Sequence, residues 1–294
     1  MNFAEIPNAL VSSIILAGLY VLVGLSWVLL FRATQIMNFA TGQFVLLGAC
    51  LYYSFTVSLH LPFIVSLLFA LLIVAAIGAS IHRFFIRRMA GNEGFFAPVV
   101  LTLGVSTVLS QIVNLSYGAG SLAIALPITQ KNFNLSSNIA VTSNDLVTLV
   151  VGVVVMFIAQ LLIRRSRWGI QMRAAAESTV LASQSGINVD RVFMGGWAGA
   201  AVVVAIVGIT YGASTIVTPT LADIGIRGLA VAIVGGFDSI VGLIPAALIV
   251  ALAENLSVVF FGESVRDAAV MIVILIVLAV RPQGLLGTKA VVRV

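Results

Sequence analysis

The stretch LVSSIILAGLYVLVGLSWVLLF, residues 10–31, decides the fold, because it runs for 22 positions without a charged side chain. At 1.5 Å per residue, roughly 20 apolar residues in a helix cross the hydrocarbon core of a bilayer. Inside lipid, each backbone N–H and C=O must find a partner within its own segment, and a helix achieves this. The stretch therefore predicts a membrane-spanning helix. We expect it to be retained, since no basic residue precedes it as in a signal peptide.

Further uncharged runs cover most of the chain. Hydrophobic residues make up 61% of the 294 residues and charged residues only 9%, whereas soluble domains carry about 25% charged residues. The polarity does not alternate as it would in the strands of a membrane barrel. The other long runs are residues 36–59, 61–81, 95–115, 146–163 and 192–222. We therefore predict an all-α, polytopic membrane helical bundle, one transmembrane domain over residues 1–294, with about eight to ten membrane segments.

Two apolar elements are interrupted by glycine and polar residues, MNFATGQF (37–44) and VGGFDS (234–239). Paired broken or re-entrant helices in the two halves of a chain are typical of inverted repeats around a central site. A break at Gly42 would free backbone N–H groups for a carboxylate, whereas the alternative role of the polar residues is hydrogen bonding between helices. The residues that we predict to line a solute path are Asn38, Thr41, Gly42, Gln43, Gly235, Gly236 and Asp238.

The most polar passage is RRSRWGIQMRAAAESTVLASQSGINVDR (164–191), which holds five of the fifteen Lys and Arg residues. Basic loops face the cytoplasm, so we expect this passage and HRFFIRR (82–88) to lie there, together with the basic tail after residue 280. A discontinuous element over residues 228–256 would change the number of membrane crossings and so allow the tail to lie in the cytoplasm. Helix formers predict a short helix over 170–184, ended by Gly186 and too polar to span. It is suited either to dock on a soluble partner or to lie on lipid head groups.

The sequence lacks the residue patterns that several kinds of chemistry require. It has no phosphate-binding loop of the G-x-x-x-x-G-K-[ST] type, so we expect no ATPase site in this chain. Its two histidines, His60 and His82, and its one cysteine, Cys50, have no partners at metal-ligand or catalytic spacing. The only acidic residues that interrupt apolar sequence are Asp238 and Glu254, and two carboxylates are few for a proton relay. We expect no enzyme, no metal site, no cofactor and no nucleic-acid partner.

Four stretches resemble the signature stretches of the branched-chain amino acid ABC transporter permease family, in particular its LivH-type membrane subunit. They occur in the family's order over essentially the whole chain. They are MNFATGQFVLLGA (37–49), RAAAESTVLASQSGINVDRV (173–192), AIVGGFDSIVGLIPAALIVALAEN (232–255) and RPQGLLG (281–287).

The resemblance implies a multi-pass subunit of the bacterial inner membrane, whose cytoplasmic coupling loop, at about 165–190, sits on an ATPase. The residues implied as its contacts are Arg173, Ala174, Ala175, Ala176, Glu177, Ser178 and Gly186. The implied partners are a second, LivM-like permease subunit, two ATP-binding subunits that bind ATP and Mg²⁺, and a periplasmic solute-binding protein. The implied solute is a branched-chain or related amino acid, and urea or short amides are alternatives within the family. An autonomous secondary carrier or channel is the alternative from another class.

Overall fold

The computed structural model describes residues 5–89, 96–118, 120–136 and 139–287, and the basic tail residues Lys289 and Arg293 lie outside these ranges. The first half is helical. It contains α1 (Ile6–Thr34), α2 (Thr41–Tyr53), α3 (Phe63–Ile81), α4 (Arg87–Met89) and α5 (Phe96–Tyr117). A π-helical turn, Ser54–Ser58, extends α2, and a second one, His82–Ile86, joins α3 to α4.

The second half continues with helices of varied length. They are α6 (Ser143–Arg165), α7 (Arg167–Glu177), α8 (Thr179–Gln184), α9 (Val189–Ser214), α10 (Ile224–Gly235), α11 (Leu243–Phe261) and α12 (Arg266–Val280). A small antiparallel hairpin of β1 (Asn132–Ser136) and β2 (Ile139–Thr142) precedes α6, and Asn132 pairs with Thr142. The all-α prediction therefore holds apart from this hairpin. Thr142 then caps α6, and Asp145 completes a reciprocal capping box.

Six helical segments in the described ranges are long and apolar enough to cross a membrane. They are Ile6–Thr34, Phe63–Met89, Phe96–Tyr117, Ser143–Arg165, Val189–Ser214 and Leu243–Phe261. The shorter apolar helices α2, α10 and α12 pack within the same bundle but are not among these six. The predicted number of eight to ten segments, broken or re-entrant helices included, stays a prediction. The polytopic helical bundle itself is confirmed by the six spans.

The centre of the bundle is built on α1 and α9. Helix α1 packs against α6, α9, α10 and α11, whereas α9 packs against α2 and α3. Each residue from Leu19 to Leu30 is buried, so this part of α1 is enclosed on all sides, as expected for a helix that is apolar all round. A Cβ placed on Gly208 of α9 would lie only 1.9 Å from the carbonyl oxygen of Val45 on α2. Backbone therefore meets backbone here, as small residues allow in membrane bundles.

The two ends of the bundle differ in charge. We use the name basic end for the end that holds ten arginines: Arg32, Arg83, Arg87, Arg88, Arg164, Arg165, Arg167, Arg173, Arg191 and Arg281. An ion pair of 2.8 Å between Arg87 Nε and Asp190 Oδ2 joins α4 to α9 at this end. At the opposite end, Leu122 and Val217 form an isolated β-bridge. The other basic residues in the described ranges, Lys131, Arg227 and Arg266, lie away from the basic end.

The predicted discontinuous element, residues 228–256, is divided between α10 and α11. The chain turns at Gly236, which has a φ of 98°, a value that favours glycine. The N–H of Leu285 donates to the carbonyl of Val234 over 2.7 Å, so the segment that follows α12 lies beside this turn. Because Asp238 in the turn is close enough to Arg32 to interact with it electrostatically, the turn and the segment after α12 both lie at the basic end.

Candidate functional site

Helices α2 and α10 both begin inside the bundle, and their first turns touch. Thr41 and Ile224, the first residues of the two helices, are buried. A Cβ placed on Gly42 would lie 2.0 Å from the carbonyl oxygen of Ala222, and one placed on Gly225 would lie 2.5 Å from the Cα of Gly42. We name this contact the half-helix junction. It brings two helix N-termini together, where the helix dipoles place partial positive charge. In α2, the N–H groups of Thr41 and Gln43 already donate to the carbonyls of Asn38 and Ala40.

An unwound segment, residues 35–40, precedes α2. Gln35 ends α1 in a left-handed conformation with φ 56°. The side-chain oxygen of Asn38 accepts from the N–H of Ala40 over 3.0 Å, and its carbonyl accepts from Thr41 Oγ1 over 2.7 Å. Thr102 of α5 donates to the carbonyl of Met37 and accepts from Phe39 N–H, each over 3.3 Å. Polar side chains thus replace the lost helical hydrogen bonds of this segment.

The prediction of a break at Gly42 is therefore wrong in position. The break lies at residues 35–40, and Gly42 is the second residue of α2. Glycine is required at position 42 because of the carbonyl group that Ala222 places against it. This contact joins residues that are 180 positions apart in sequence, so the sequence around Gly42 does not reveal it.

A second unwound segment precedes α10. The prediction of one apolar helix over 192–222 is wrong, because α9 ends at Ser214 and a 3₁₀ turn, Pro219–Asp223, leads into α10. Pro219 has no N–H to donate and disfavours the helical conformation for Thr218 before it, so this break had a readable signal. The N–H of Trp27 on α1 donates to the carbonyl of Gly225 over 3.0 Å and holds the start of α10 in place.

The seven residues predicted for the solute path fall into two groups. Asn38, Thr41, Gly42 and Gln43 lie at the half-helix junction, whereas Gly235, Gly236 and Asp238 lie at the basic end. Gln43 stands out in the first group, because its Oε1 is buried without a hydrogen-bond partner among the described residues. Such an orphaned acceptor is unusual in a well-packed bundle and is typical of a site that a ligand or water completes.

The predicted coupling loop is two helices rather than one. Ser166 caps α7 by accepting from Gly169 N–H over 3.0 Å, and Ser178 caps α8 by accepting from Leu181 N–H over 3.2 Å. The predicted single helix over 170–184 is thus interrupted at Ser178, where the serine hydroxyl offers the backbone an alternative partner. The predicted helix end is correct, since Gly186 has a φ of 80° directly after α8.

One face of α7 packs on the bundle and the other is exposed. Met172 and Ala175 are buried, so the side chain of Ala175 points inward, unlike the contact that the resemblance implies. Among the other implied contact residues, Arg173, Ala176, Glu177 and Gly186 are exposed, and Ala174 and Ser178 are half-buried. Three large apolar side chains, absent from that set, are also exposed on these helices: Ile170, Val180 and Leu181. Ile170 lies three positions from an arginine on each side, whereas Val180 and Leu181 are seven or more positions from any arginine and had no such signal.

The loop is anchored tightly to the helices beneath it. The guanidinium of Arg173 donates to the carbonyl of Ile163 at the end of α6. A Cβ on Gly169 would lie 2.2 Å from that same carbonyl oxygen, and a Cβ on Gly195 of α9 would lie 2.9 Å from the indole nitrogen of Trp168. Helix α7 is therefore packed closely against the ends of α6 and α9.

A buried charged cluster joins α1, α10, α11 and α12. Tyr20 donates to Glu254 Oε2 over 2.5 Å, and Glu254 Oε1 lies 3.1 Å from Arg227 Nε and 3.5 Å from Arg266 Nε. Neither Nε–H is aligned as a hydrogen bond, so these two contacts are ionic. Arg227 also donates to Asp267 over 3.0 Å. Sequence reasoning had no means to find this cluster, because its members come from four helices.

Charges inside a membrane bundle are costly and mark functional sites by default. The carboxylate of Glu254 is neutralised by guanidinium groups and accepts a hydrogen bond from the phenol of Tyr20, so it is a structural charge rather than a free one. Asp223 lies outside the membrane-spanning helices, just before α10. Partial burial raises the pKa of its carboxyl group, and nearby Arg227 offsets part of this rise.

Comparisons with known proteins agree with this architecture. A permease protein named LivH, of the high-affinity branched-chain amino acid transport system of Salmonella typhimurium, is 28% identical over 100% of this chain and 99% of its own. The corresponding permease protein BraD of Pseudomonas aeruginosa is 27% identical over 97% of each chain. A solved structure described as PsaBC from Streptococcus pneumoniae in complex with Fab has the same overall fold. Its TM-score is 0.50 at 17% identity, with 96% of this chain and 94% of that chain covered.

The family described as "Branched-chain amino acid transport system / permease component" matches residues 9–280. This range includes the half-helix junction, the loop formed by α7 and α8, and the charged cluster. Since the match covers most of the chain, the protein belongs to the family of branched-chain amino acid transport permeases.

Proposed function

We propose that this chain is a membrane-spanning permease subunit of an ABC importer in the bacterial inner membrane, which translocates branched-chain or related amino acids. Its partners are a second permease subunit, two ATP-binding subunits and a periplasmic solute-binding protein. The observation that carries the proposal is the loop of α7 and α8, which exposes apolar and basic side chains while it is anchored to α6 and α9. A surface of this kind suits a soluble partner that must move the bundle.

Orientation follows from the charges. Cytoplasmic loops of membrane proteins carry an excess of Lys and Arg, and the basic end holds ten arginines. We therefore place α7, α8 and the turn at Gly236 in the cytoplasm, and the hairpin of β1 and β2 outside. In this orientation the exposed loop lies where ATP-binding subunits can reach it. The family assignment and the names of the relatives support amino acids as the solute.

The work is divided between subunits. When bound, ATP supplies the energy in the partner subunits. This chain contributes the loop of α7 and α8, which transmits movement to the bundle, and part of the membrane path. Nucleotide binding shifts the populations of the permease conformations through the contacts at α7 and α8. The shift is limited by the difference in the free energy of these contacts between the conformations. The half-helix junction contributes polar and N-terminal backbone groups to the path, with Gln43 as the side chain that we assign to solute contact.

The experiment tests whether an ATPase docks on α8. In the complete importer, Val180 is replaced by aspartate. The matched control is the same replacement at Ile216, an apolar residue at the opposite end of the bundle. The two side chains are similarly exposed, Val180 to 62% and Ile216 to 60%. We expect Val180→Asp to abolish copurification of the ATP-binding subunits and ATP-driven amino-acid uptake, whereas Ile216→Asp keeps the assembly. Retention of the ATP-binding subunits by Val180→Asp would contradict the docking surface. Uptake by this chain alone in liposomes would instead favour the autonomous carrier.

A further inference from the structure

A polar cavity of about 210 Å³ lies next to the buried charged cluster, between α1, α6, α9, α10, α11 and α12. Ser12, Asp145, Ser214 and Arg266 line it near helix ends that are opposite the basic end, so the cavity is reached from that side. Tyr20 and Glu254 line its inner part. At about 30 Å³ per water molecule, the volume corresponds to roughly seven waters, which is the size of a small amino acid or a similar solute.

Two hydroxyl groups of this cavity have no hydrogen-bond partner in the described part of the chain. Thr148 Oγ1 and Ser214 Oγ are buried without a hydrogen-bond partner among the described residues, and both residues line the cavity. The Thr148 residue is only 2% exposed. A buried hydroxyl that stays unpaired is costly, so native structures rarely leave one without a reason. Because one hydroxyl comes from α6 and the other from α9, they approach the cavity from two walls.

The charges of the lining balance. Among the residues that line the cavity, Arg227 and Arg266 supply two positive charges and Glu254 and Asp145 two negative ones, so the formal sum of the lining is zero. Asp267 and Glu263 pair with the two arginines from outside the lining. Asp145 lies one helical turn from Thr148 on α6, whereas both guanidinium groups lie at Glu254 on the α10–α12 side. A cavity that presents both signs on different walls without a net charge suits a zwitterion better than a simple anion or cation.

An apolar strip completes the lining. Ile15, Leu16 and Leu19 of α1 line the same cavity, and no charged residue interrupts α1 between them. An aliphatic side chain in contact with this strip would bury apolar surface, which contributes about 25 cal/mol per Å².

We propose that this cavity binds an aliphatic α-amino acid as a zwitterion, on the outer side of the permease. The carboxylate of the ligand faces Arg266 and the unpaired hydroxyls, its ammonium faces Asp145, and its side chain lies on the apolar strip of α1. The site rests on the proposed function for its solute class. It is distinct from the half-helix junction, since no residue of α2 lines it.

The test measures binding of labelled L-leucine to the complete importer in nanodiscs, without the solute-binding protein. We expect the double variant Thr148→Val, Ser214→Ala to weaken binding by about tenfold, because each lost hydrogen bond to a ligand costs roughly a factor of three or more. Thr107→Val is the matched control, since the Thr107 hydroxyl is on the exposed face of α5 and donates to Leu103. 4-Methylpentanoate lacks the ammonium group and 3-methylbutylamine lacks the carboxylate, so neither should compete with leucine.

Three results would overturn the site: no saturable leucine binding to the wild-type importer, equal affinity of the double variant, or full competition by either analogue. If the double variant does not assemble, Ser214→Cys in a Cys50→Ala background provides the second test, with leucine expected to slow its reaction with a thiol reagent added from outside. Reaction at the same rate with and without leucine would also overturn the site. ATP-driven uptake is measured on the same preparations. If ATP-driven uptake persists and the cavity variants bind leucine as the wild type does, the cavity site is contradicted and the proposed function is not. If leucine binds to the cavity but ATP-driven uptake is absent, the proposed function is contradicted and the cavity site is not.

Discussion

Replacing Glu254 with glutamine is the sharpest test of the charged cluster. The glutamine keeps the size of the side chain and its acceptor oxygen for Tyr20, but it removes the charge that neutralises Arg227 and Arg266. Glu254 is 2% exposed, so the lost charge is not replaced by solvent. Breaking a buried ion pair from one side costs about 3–5 kcal/mol in the free energy of unfolding.

The lower end of that range applies here, because Asp267 still pairs with Arg227, and Glu263 still pairs with Arg266 over 2.8 Å. A loss of about 3 kcal/mol lowers the thermal midpoint by roughly 6–12 °C, at 2–4 °C per kcal/mol for a chain of this size class. The assay is thermal unfolding of the purified subunit in detergent, followed by intrinsic fluorescence.

Glu263→Gln is the matched control, since it makes the same chemical change in a carboxylate that is 68% exposed and pairs with the same arginine. Exposed ion pairs contribute about 0–1 kcal/mol, so its midpoint should fall by no more than roughly 4 °C. Combining Glu254→Gln with Arg227→Gln should cost less than the sum of the two single changes, because the pair is then removed together. Equal midpoints for Glu254→Gln and Glu263→Gln would refute the reasoning.

Two further predictions concern the half-helix junction. Gly42→Val should abolish folded protein, since its Cβ meets the Ala222 carbonyl at 2.0 Å, whereas Gly104→Val, which meets nothing within 4 Å, should express normally, as measured by yield after size-exclusion chromatography. Gln43→Leu removes a buried unpaired acceptor, so its thermal midpoint should stay equal or rise while ATP-driven uptake falls roughly tenfold. Unchanged uptake in Gln43→Leu would remove Gln43 from the solute path.

The membrane helices were predictable because lipid imposes a simple requirement. An uncharged run of the right length has one stable conformation in hydrocarbon, so residues 10–31 and 146–163 fall inside α1 and α6. The ends of the helices depend on local capping groups. Thr142 and Asp145 carry the signal of a capping box in the sequence itself, whereas Ser178 at the start of α8 is a serine N-cap without the acidic partner of such a box.

The site was predictable only in part, because its groups are brought together over long distances in sequence. The passage 37–44 was correctly identified as a broken element. The second break, which lies next to it in the structure, is at residues 215–223 and not at the predicted 234–239. Two half-helices that start side by side are the arrangement expected of inverted repeats, and that relation stays a prediction. The pairing of Tyr20 with Glu254, 234 positions apart, follows only from the packing of α1 on α11.

The contacts that link the loop of α7 and α8 to the half-helix junction limit how this chain can move. Trp168 of α7 lies against Gly195 of α9, Gly208 of α9 meets the backbone of Val45, and Gly42 of α2 meets Ala222. At the last two contacts backbone touches backbone, so the helices cannot slide past one another without collisions, and packed interiors are bistable rather than continuously deformable. We therefore expect a displacement of α7 and α8 by an ATP-binding subunit to tilt the bundle as one body. If the second permease subunit that we propose packs on this chain, tilting of the whole bundle would open a solute path between the two subunits. The proposal therefore accounts for the need of a partner even in a chain that has its own polar cavity.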